Sequence, residues 1–212
     1  MGLAIATGVL ADLLHSDAEG ATELREQLAV VNRVLADNGL PTHTEPTELP
    51  PAVRRDPISS FPYSFLHHLR RAYAHAAADP LWRASPFPPD ADPTEDPVLE
   101  AKGEMFDSHL LFHSDAEGYY VPVDFEDVLL DEQGELAGGL LGSTQALQRE
   151  LAQVAPALGV QLAGGSLSDA QVTAIEQRLD REDGLRIELM VWLCLFEACN
   201  ESIAHRTAIC FS

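Results

Sequence analysis

Eight consecutive apolar residues near the end of the chain constrain its fold more than any other feature. They run from Leu189 to Phe196, inside a segment with helical character from about Arg186 to Ala204. A surface helix has one apolar face, whereas a helix that is apolar all round must be covered on every side. Burying one leucine or phenylalanine side chain contributes about 1.5–3 kcal/mol. We therefore expect one fully buried C-terminal helix, around which the rest of the chain packs.

Five further helices are predicted from apolar periodicity and from capping residues. Apolar residues recur at helical spacing after Ser16, which we expect to be an N-cap, and again over residues 60–78. Ser143 and Ser168 are expected to begin two more helices, because a serine side chain can accept a hydrogen bond from a free N–H of the first turn. Asp124 is expected to cap a short helix in the same way.

Short β-branched and aromatic segments predict a small sheet. Four segments have this character: residues 3–9, 109–113, 119–123 and 207–211. We expect the second and third to form a hairpin whose turn ends at Gly118, in a conformation with positive φ. Strands and helices do not alternate regularly, so a doubly wound nucleotide-binding fold is not supported. The predicted fold class is α+β, with a small mixed sheet of four to five strands packed with about six helices.

The chain is expected to form one globular domain over residues 1–212, because this length is sufficient to bury a large core. Two proline-rich stretches, at about 41–57 and 79–97, are typical of irregular surface connections.

Several features indicate a cytoplasmic protein of bacterial origin. The longest apolar run is too short to span a bilayer, and no Lys or Arg precedes the apolar N-terminal residues as in a secretory signal. The three cysteines are an odd number among apolar residues, which is typical of reduced core thiols. One lysine against twelve arginines is the bias of a GC-rich genome.

Acidic residues are concentrated in the middle of the chain. Residues 90–135, which we call the acidic segment, contain 15 of the 34 acidic residues and one cation, Lys102. Such a field repels nucleic acid and anionic membranes and attracts cations. We therefore expect a cationic protein as the partner, or a second copy of the chain, and neither nucleic acid nor membrane. The residues predicted to contact the partner are Asp115, Glu117, Asp124, Glu126, Asp127, Asp131 and Glu132.

A basic block precedes the acidic segment. It comprises His67, His68, Arg70 and Arg71 within one predicted helix. Because the whole chain has a net charge of −21, phosphate binding by this block is disfavoured. We expect it to pair with the acidic segment, either within the chain or across a dimer.

Two groups of residues are candidate metal ligands. The hexapeptide His-Ser-Asp-Ala-Glu-Gly occurs at 15–20 and again at 113–118, and its second copy offers His113, Asp115 and Glu117. Glu197, Glu201 and His205 form a stripe on the last helix. Imidazole and carboxylate groups bind divalent metals, but helix capping and turn formation also explain both hexapeptides. No cofactor is expected, although a divalent metal is possible at these residues.

No catalytic motif is present in the sequence. It contains no Gly-x-Ser-x-Gly elbow and no Cys-x-x-Cys pair, and no lysine follows the glycines of residues 138–142. We therefore favour a non-enzymatic acidic binding protein, immunity- or inhibitor-like, that occupies a basic protein partner. Such a protein would cover a cationic toxin or would inhibit a DNA-binding enzyme by mimicking DNA. The alternative is a metal-dependent hydrolase with a His/Asp/Glu site. The binding hypothesis fails if the chain's own arginines neutralise the acidic segment, or if its carboxylates are scattered over opposite sides of the molecule.

Overall fold

The computed structural model describes residues 2–50, 55, 59–88, 90–181 and 184–212. Within these residues it contains six strands and eight α-helices. The strands are β1 (Gly2–Thr7), β2 (Ser60–Pro62), β3 (Gly118–Val121), β4 (Leu129–Leu130), β5 (Leu140–Ser143) and β6 (Ile209–Phe211). The helices are α1 (Val9–Ser16), α2 (Ala18–Asp37), α3 (Tyr63–Ala78), α4 (Pro97–Gly103), α5 (His109–Phe112), α6 (Thr144–Val154), α7 (Asp169–Asp180) and α8 (Arg186–His205).

The strands form one mixed sheet in the order β2-β1-β6-β3-β5-β4. Neighbouring strands are antiparallel except β3 and β5, which run parallel, with Tyr120 opposite Gly142. Glycine is required at that position, because a Cβ atom there would lie 2.2 Å from the Tyr120 ring. The α+β class is confirmed. The expected strand number is too low, since β2, β4 and β5 span only two to four residues each and leave a weak pattern. The expected number of about six helices is also too low, since α4 and α5 span only seven and four residues.

Helices cover both faces of the sheet. Every residue of β3 is buried. Tyr120 belongs to one core with apolar residues of α3, α6, α7 and α8, whereas Tyr119 and Val121 belong to a second core with α1 and α2. Successive side chains of a strand point to opposite faces, so β3 is the centre of a three-layer arrangement.

Helix α8 lies in the larger core, as the apolar run predicts. Residues 188–199 are buried. Trp192 stacks on Phe196 with ring centroids 4.7 Å apart, and its indole N–H donates to the Leu151 carbonyl at 2.8 Å. The expectation of a fully buried helix is wrong, because the last turns leave the core and are partly exposed from Asn200 onward.

Three predictions of local structure are wrong. Residues 109–112 form helix α5 instead of a hairpin strand, since the Glu150 carboxylate accepts the N–H groups of His109 and Leu110. Asp124 begins no helix and is followed by bends that lead into β4. The N-cap of α2 is Asp17, one residue after Ser16, and its side chain accepts from two N–H groups of the first turn.

The proline-rich connections are mainly irregular. Residues 41–50 and 55 lack regular structure apart from a bend, whereas 51–54, 56 and 57 lie outside the described residues. The second connection is irregular up to a short 3-10 helix at Pro93–Glu95, and Pro97 begins α4; residue 89 is not described. No helix in the described part of the chain is both long and apolar enough to cross a bilayer.

Candidate acidic binding surface

Most carboxylates of the acidic segment face solvent and keep their charge unpaired. Nine of the fifteen are exposed and form no ion pair with any residue that the structure describes. They are Asp90, Asp92, Glu95, Glu100, Glu104, Glu117, Glu126, Asp127 and Glu132. We call these nine residues the free carboxylates.

Five of the other six carboxylates of the segment pair with an arginine or a lysine of the chain. The pairs are Asp96 with Arg71, Asp107 with Lys102, Asp124 with Arg149, and Asp131 and Glu135 with Arg33. The sixth, Asp115, contacts the ring of His67, whose pKa burial lowers below its usual value. Internal neutralisation of the segment is therefore partial, and it leaves the free carboxylates available.

The basic block on α3 holds the first part of the acidic segment, so the expected pairing occurs within the chain. Arg71 donates to Asp96 at 2.7 Å, and buried Arg70 donates to the carbonyls of Leu110 and His113. Asp96 also accepts from the Val98 N–H and so caps α4. Burial alone would raise the pKa of Asp96, but hydrogen bonds from His75, Val98 and Arg71 outweigh it and lower the pKa to about 2.

Helix α6 holds the middle of the segment through a buried carboxylate. Glu150 accepts from the N–H groups of His109 at 2.8 Å and Leu110 at 2.6 Å, and from the Ser108 hydroxyl. Burial raises the pKa of Glu150 to about 7, although these hydrogen bonds oppose the shift. The His109 ring in turn contacts the Glu126 carbonyl at 2.9 Å. The backbone that carries Glu126 is thereby fixed against α5.

Helix α2 holds the end of the segment. Arg33 donates to Asp131 at 2.9 Å. Asp131 is buried and also accepts from the N–H groups of Gln133, Glu135 and Leu136. Burial opposes ionisation of Asp131, but these hydrogen bonds keep its pKa below the usual value. Asp131 therefore fixes the loop that carries Glu132.

The seven residues predicted to contact a partner occupy three different environments. Glu117, Glu126, Asp127 and Glu132 are free carboxylates. Asp124 forms a surface ion pair with Arg149, Asp115 contacts the ring of His67, and Asp131 is buried. Their contact with a partner stays a prediction. Five further free carboxylates lie outside the predicted set, although they contribute to the same charge count: Asp90, Asp92, Glu95, Glu100 and Glu104.

The candidate metal ligands near β3 do not share an open site. His113 is buried, and its ring nitrogens lie 2.9 Å and 3.0 Å from the carbonyls of Ser114 and Tyr119. Burial lowers the pKa of His113 to about 4. Asp115 pairs with His67 at 3.1 Å, and Glu117 is exposed. The hexapeptide at 113–118 thus forms the turn before β3, and Gly118 has the expected positive φ of 132°.

The candidate ligands on α8 are engaged with different partners. Glu197 is buried and pairs with Arg55 at 2.7 Å, which fixes this residue of the first connection onto the core helix. Glu201 accepts from the Thr7 hydroxyl at 2.5 Å, and His205 ends the helix. In the part of the chain that the structure describes, no three His, Cys, Asp or Glu side chains are grouped so that they could hold a metal ion.

The two hexapeptides have separate local roles. The first copy ends α1 and begins α2, where Asp17 is the N-cap. No hydrogen bond or ion pair joins it to the second copy among the described residues.

Comparison with known proteins identifies the family. A family model described as "Putative DNA-mimic protein" matches residues 1–211. The chain belongs to this family. No curated protein and no solved structure matches it.

Membership of the DNA-mimic family corrects the expected partner. From the sequence we expect a cationic protein or a second copy of the chain as the partner and no nucleic acid, with a DNA-mimicking inhibitor as one form of the acidic binding protein. A DNA-mimic family implies a DNA-binding protein as the partner, so the expectation is wrong as it stands. The broader expectation of an acidic binding protein agrees with the family.

Proposed function

We propose that this DNA-mimic protein binds the DNA-contacting surface of a DNA-binding protein and thereby keeps DNA away from it. The observation that carries the proposal is the set of nine free carboxylates, which lie between Asp90 and Glu132 and form no ion pair with any described residue. DNA presents one negative charge per about 1.7 Å of helix axis, and its binding proteins meet that charge with lysine and arginine. Carboxylate oxygens accept charge-assisted hydrogen bonds from the same side chains.

The scaffold beneath the free carboxylates supports this role. Hydrogen bonds and ion pairs to α3, α6 and α2 hold the acidic segment at Asp96, residues 108–110 and Asp131. A surface that is ordered before binding loses less conformational entropy on association than a flexible acidic tail does. The fixed backbone therefore favours a defined partner over unspecific attraction of any polycation.

The biological consequence that we propose is inhibition. A protein that occupies a DNA-contacting surface competes with DNA for it, and electrostatic attraction speeds the encounter. An immunity-like role is the case in which the occupied protein is a toxic DNA-cleaving enzyme. We place this activity in the bacterial cytoplasm, where DNA and its binding proteins are found together.

Release of proteins from immobilised DNA tests the proposal. Double-stranded DNA on a matrix is loaded with the DNA-binding proteins of cells that carry the gene, and the purified chain is then added as the eluant. We expect it to release at least one protein, which mass spectrometry identifies. The variant E117Q/E126Q/D127N/E132Q removes four free carboxylates, and we expect it to need at least about tenfold more protein for the same release, since each lost charge contact weakens binding by several tenths of a kcal/mol.

A matched control variant separates the effect of where the four charges lie from the effect of the net charge of the chain. The variant D12N/E48Q/E176Q/D180N loses the same four charges outside the acidic segment, at side chains with no ion pair among the described residues. It should release the protein as the wild type does. Equal release by both variants, or no release by the wild type, would contradict the proposal.

A further inference from the structure

Two large apolar side chains are exposed in the middle of the acidic segment. Met105 is 65% exposed and Phe106 is 51% exposed. They lie between Glu104 and Asp107, directly after α4. In the part of the chain that the structure describes, only Leu81 and Leu130 are comparably exposed among large apolar residues. An apolar pair within a field of carboxylates therefore needs an explanation of its own.

The backbone presents this pair in a fixed way. Phe106 has a φ of +53°, a left-handed conformation that a bulky residue rarely adopts. Its ring lies against Phe112 with centroids 4.3 Å apart, while about half of the residue stays exposed to solvent. On the flank, Lys102 donates to both oxygens of Asp107 at 2.8–2.9 Å. Unfavourable backbone geometry of this kind is concentrated at functional sites.

The chemistry around the pair matches an arginine side chain. Glu100 and Glu104 are free carboxylates close to Phe106 in the chain, and a carboxylate can accept two parallel hydrogen bonds from a guanidinium group. The same group stacks on an aromatic face, and its methylene stem packs on apolar atoms such as those of Met105. Surfaces that contact DNA carry arginine for its phosphates and bases.

We propose that Met105 and Phe106 are the apolar anchor of the interface with the DNA-binding protein. They pack against an arginine side chain of its DNA-contacting surface, and Glu100 and Glu104 complete the contact through charge. A few aromatic and apolar residues supply most of the affinity at protein interfaces, whereas peripheral charges mainly set the association rate and its salt dependence. The anchor thus adds affinity that salt does not screen. This inference rests on the proposed function.

Equilibrium binding at several NaCl concentrations tests the anchor. The probe is the protein that the wild-type chain releases from immobilised DNA, in purified form. We expect M105A/F106A to raise the Kd at least tenfold and to leave the slope of log Kd against log salt unchanged. The variant E117Q/E126Q/D127N/E132Q should instead reduce that slope. The control L81A removes a side chain that is 82% exposed but lies outside the acidic segment, and its Kd should stay within twofold of the wild-type value.

Each other outcome has a defined meaning. A Kd for M105A/F106A within twofold of the wild-type value overturns the anchor and leaves the proposed function standing. A variant that alters only self-association of the chain overturns the anchor as well. The variant F106L keeps the apolar volume but lacks the aromatic face. A Kd for F106L equal to the wild-type value would therefore rule out stacking of an arginine side chain on Phe106. If the wild-type chain releases nothing from DNA, both proposals fail.

Discussion

Phe106 illustrates at a single residue how binding and stability can oppose each other. Its left-handed backbone conformation is unfavourable for any residue with a Cβ atom, by about 1–2 kcal/mol. Glycine adopts this conformation freely, although it loses more entropy on folding. A protein selected for stability alone would place glycine here. The aromatic residue is therefore consistent with a role in binding.

Comparison of F106G with F106A isolates the backbone contribution at this position. Both variants lose the ring and its contact with Phe112, so the difference between them reports the left-handed conformation. We expect F106G to have the higher free energy of unfolding, by about 1 kcal/mol, in urea denaturation. Both variants should lose affinity for the partner. Equal stability of the two variants, or a more stable F106A, would show that the backbone at this position is not unfavourable.

Sequence reasoning at this scale is reliable where local chemistry alone decides. Gly118 is predicted to have positive φ and does, because the turn before β3 needs it. Ser16 is a sound N-cap candidate by its type, yet Asp17 caps α2. Ser16 and Asp17 are both good N-cap residues by type. Which of them begins α2 depends on where the preceding helix α1 ends, and the packing of α1 determines that.

At the scale of elements, α5 shows that a distant side chain can override the local pattern. Alternation of polar and apolar residues at 109–113 favours a strand. The structure has a helix there, because Glu150 on α6 accepts the N–H groups at its start. No local rule predicts a contact across 40 residues. The central part of helix α8 is buried as predicted, because its apolar run requires cover on every side, whereas the same run carries no information about the partly exposed end of the helix.

The same buried carboxylate makes a pH-dependent contribution to stability. Burial raises the pKa of Glu150 from its ordinary value of 4.5 to about 7 in the folded chain, so the folded state binds the proton more tightly than the unfolded state does. Its contribution is complete below pH 4.5 and is lost as the pH rises towards 7. Relative to E150Q, which does not titrate, the free energy of unfolding of the wild type should fall by roughly 3 kcal/mol over that range.

Urea denaturation of both proteins at half-unit steps between pH 4.5 and 8 measures this difference. The comparison with E150Q removes the contribution of the histidines whose pKa burial lowers, His67, His68, His109 and His113. A difference between the two proteins that does not change with pH would contradict the assigned pKa.

At the scale of the whole molecule, the sequence reveals the concentration of charge but not its distribution between paired and free groups. The acidic segment and the basic block on α3 are visible as composition. The fold determines which carboxylates form ion pairs. It brings Arg71 to Asp96 and Arg33 to Asp131, and it leaves the nine free carboxylates without an ion pair among the described residues. Composition alone does not identify the class of partner, because an acidic surface suits many cationic proteins equally. Membership of the DNA-mimic family narrows the class of partner to proteins that bind DNA.

The central claim is that the chain and DNA compete for one surface, and a displacement titration tests it most directly. A labelled DNA duplex is bound to the released protein, and its fluorescence anisotropy is followed while the chain is added. We expect the anisotropy to fall to the value of the free duplex, with a midpoint that rises in proportion to the DNA concentration. An anisotropy that stays at that of the protein–DNA complex would mean that the chain does not displace DNA, and one that rises above it would mean that all three molecules bind together. Either result would contradict DNA mimicry by the chain.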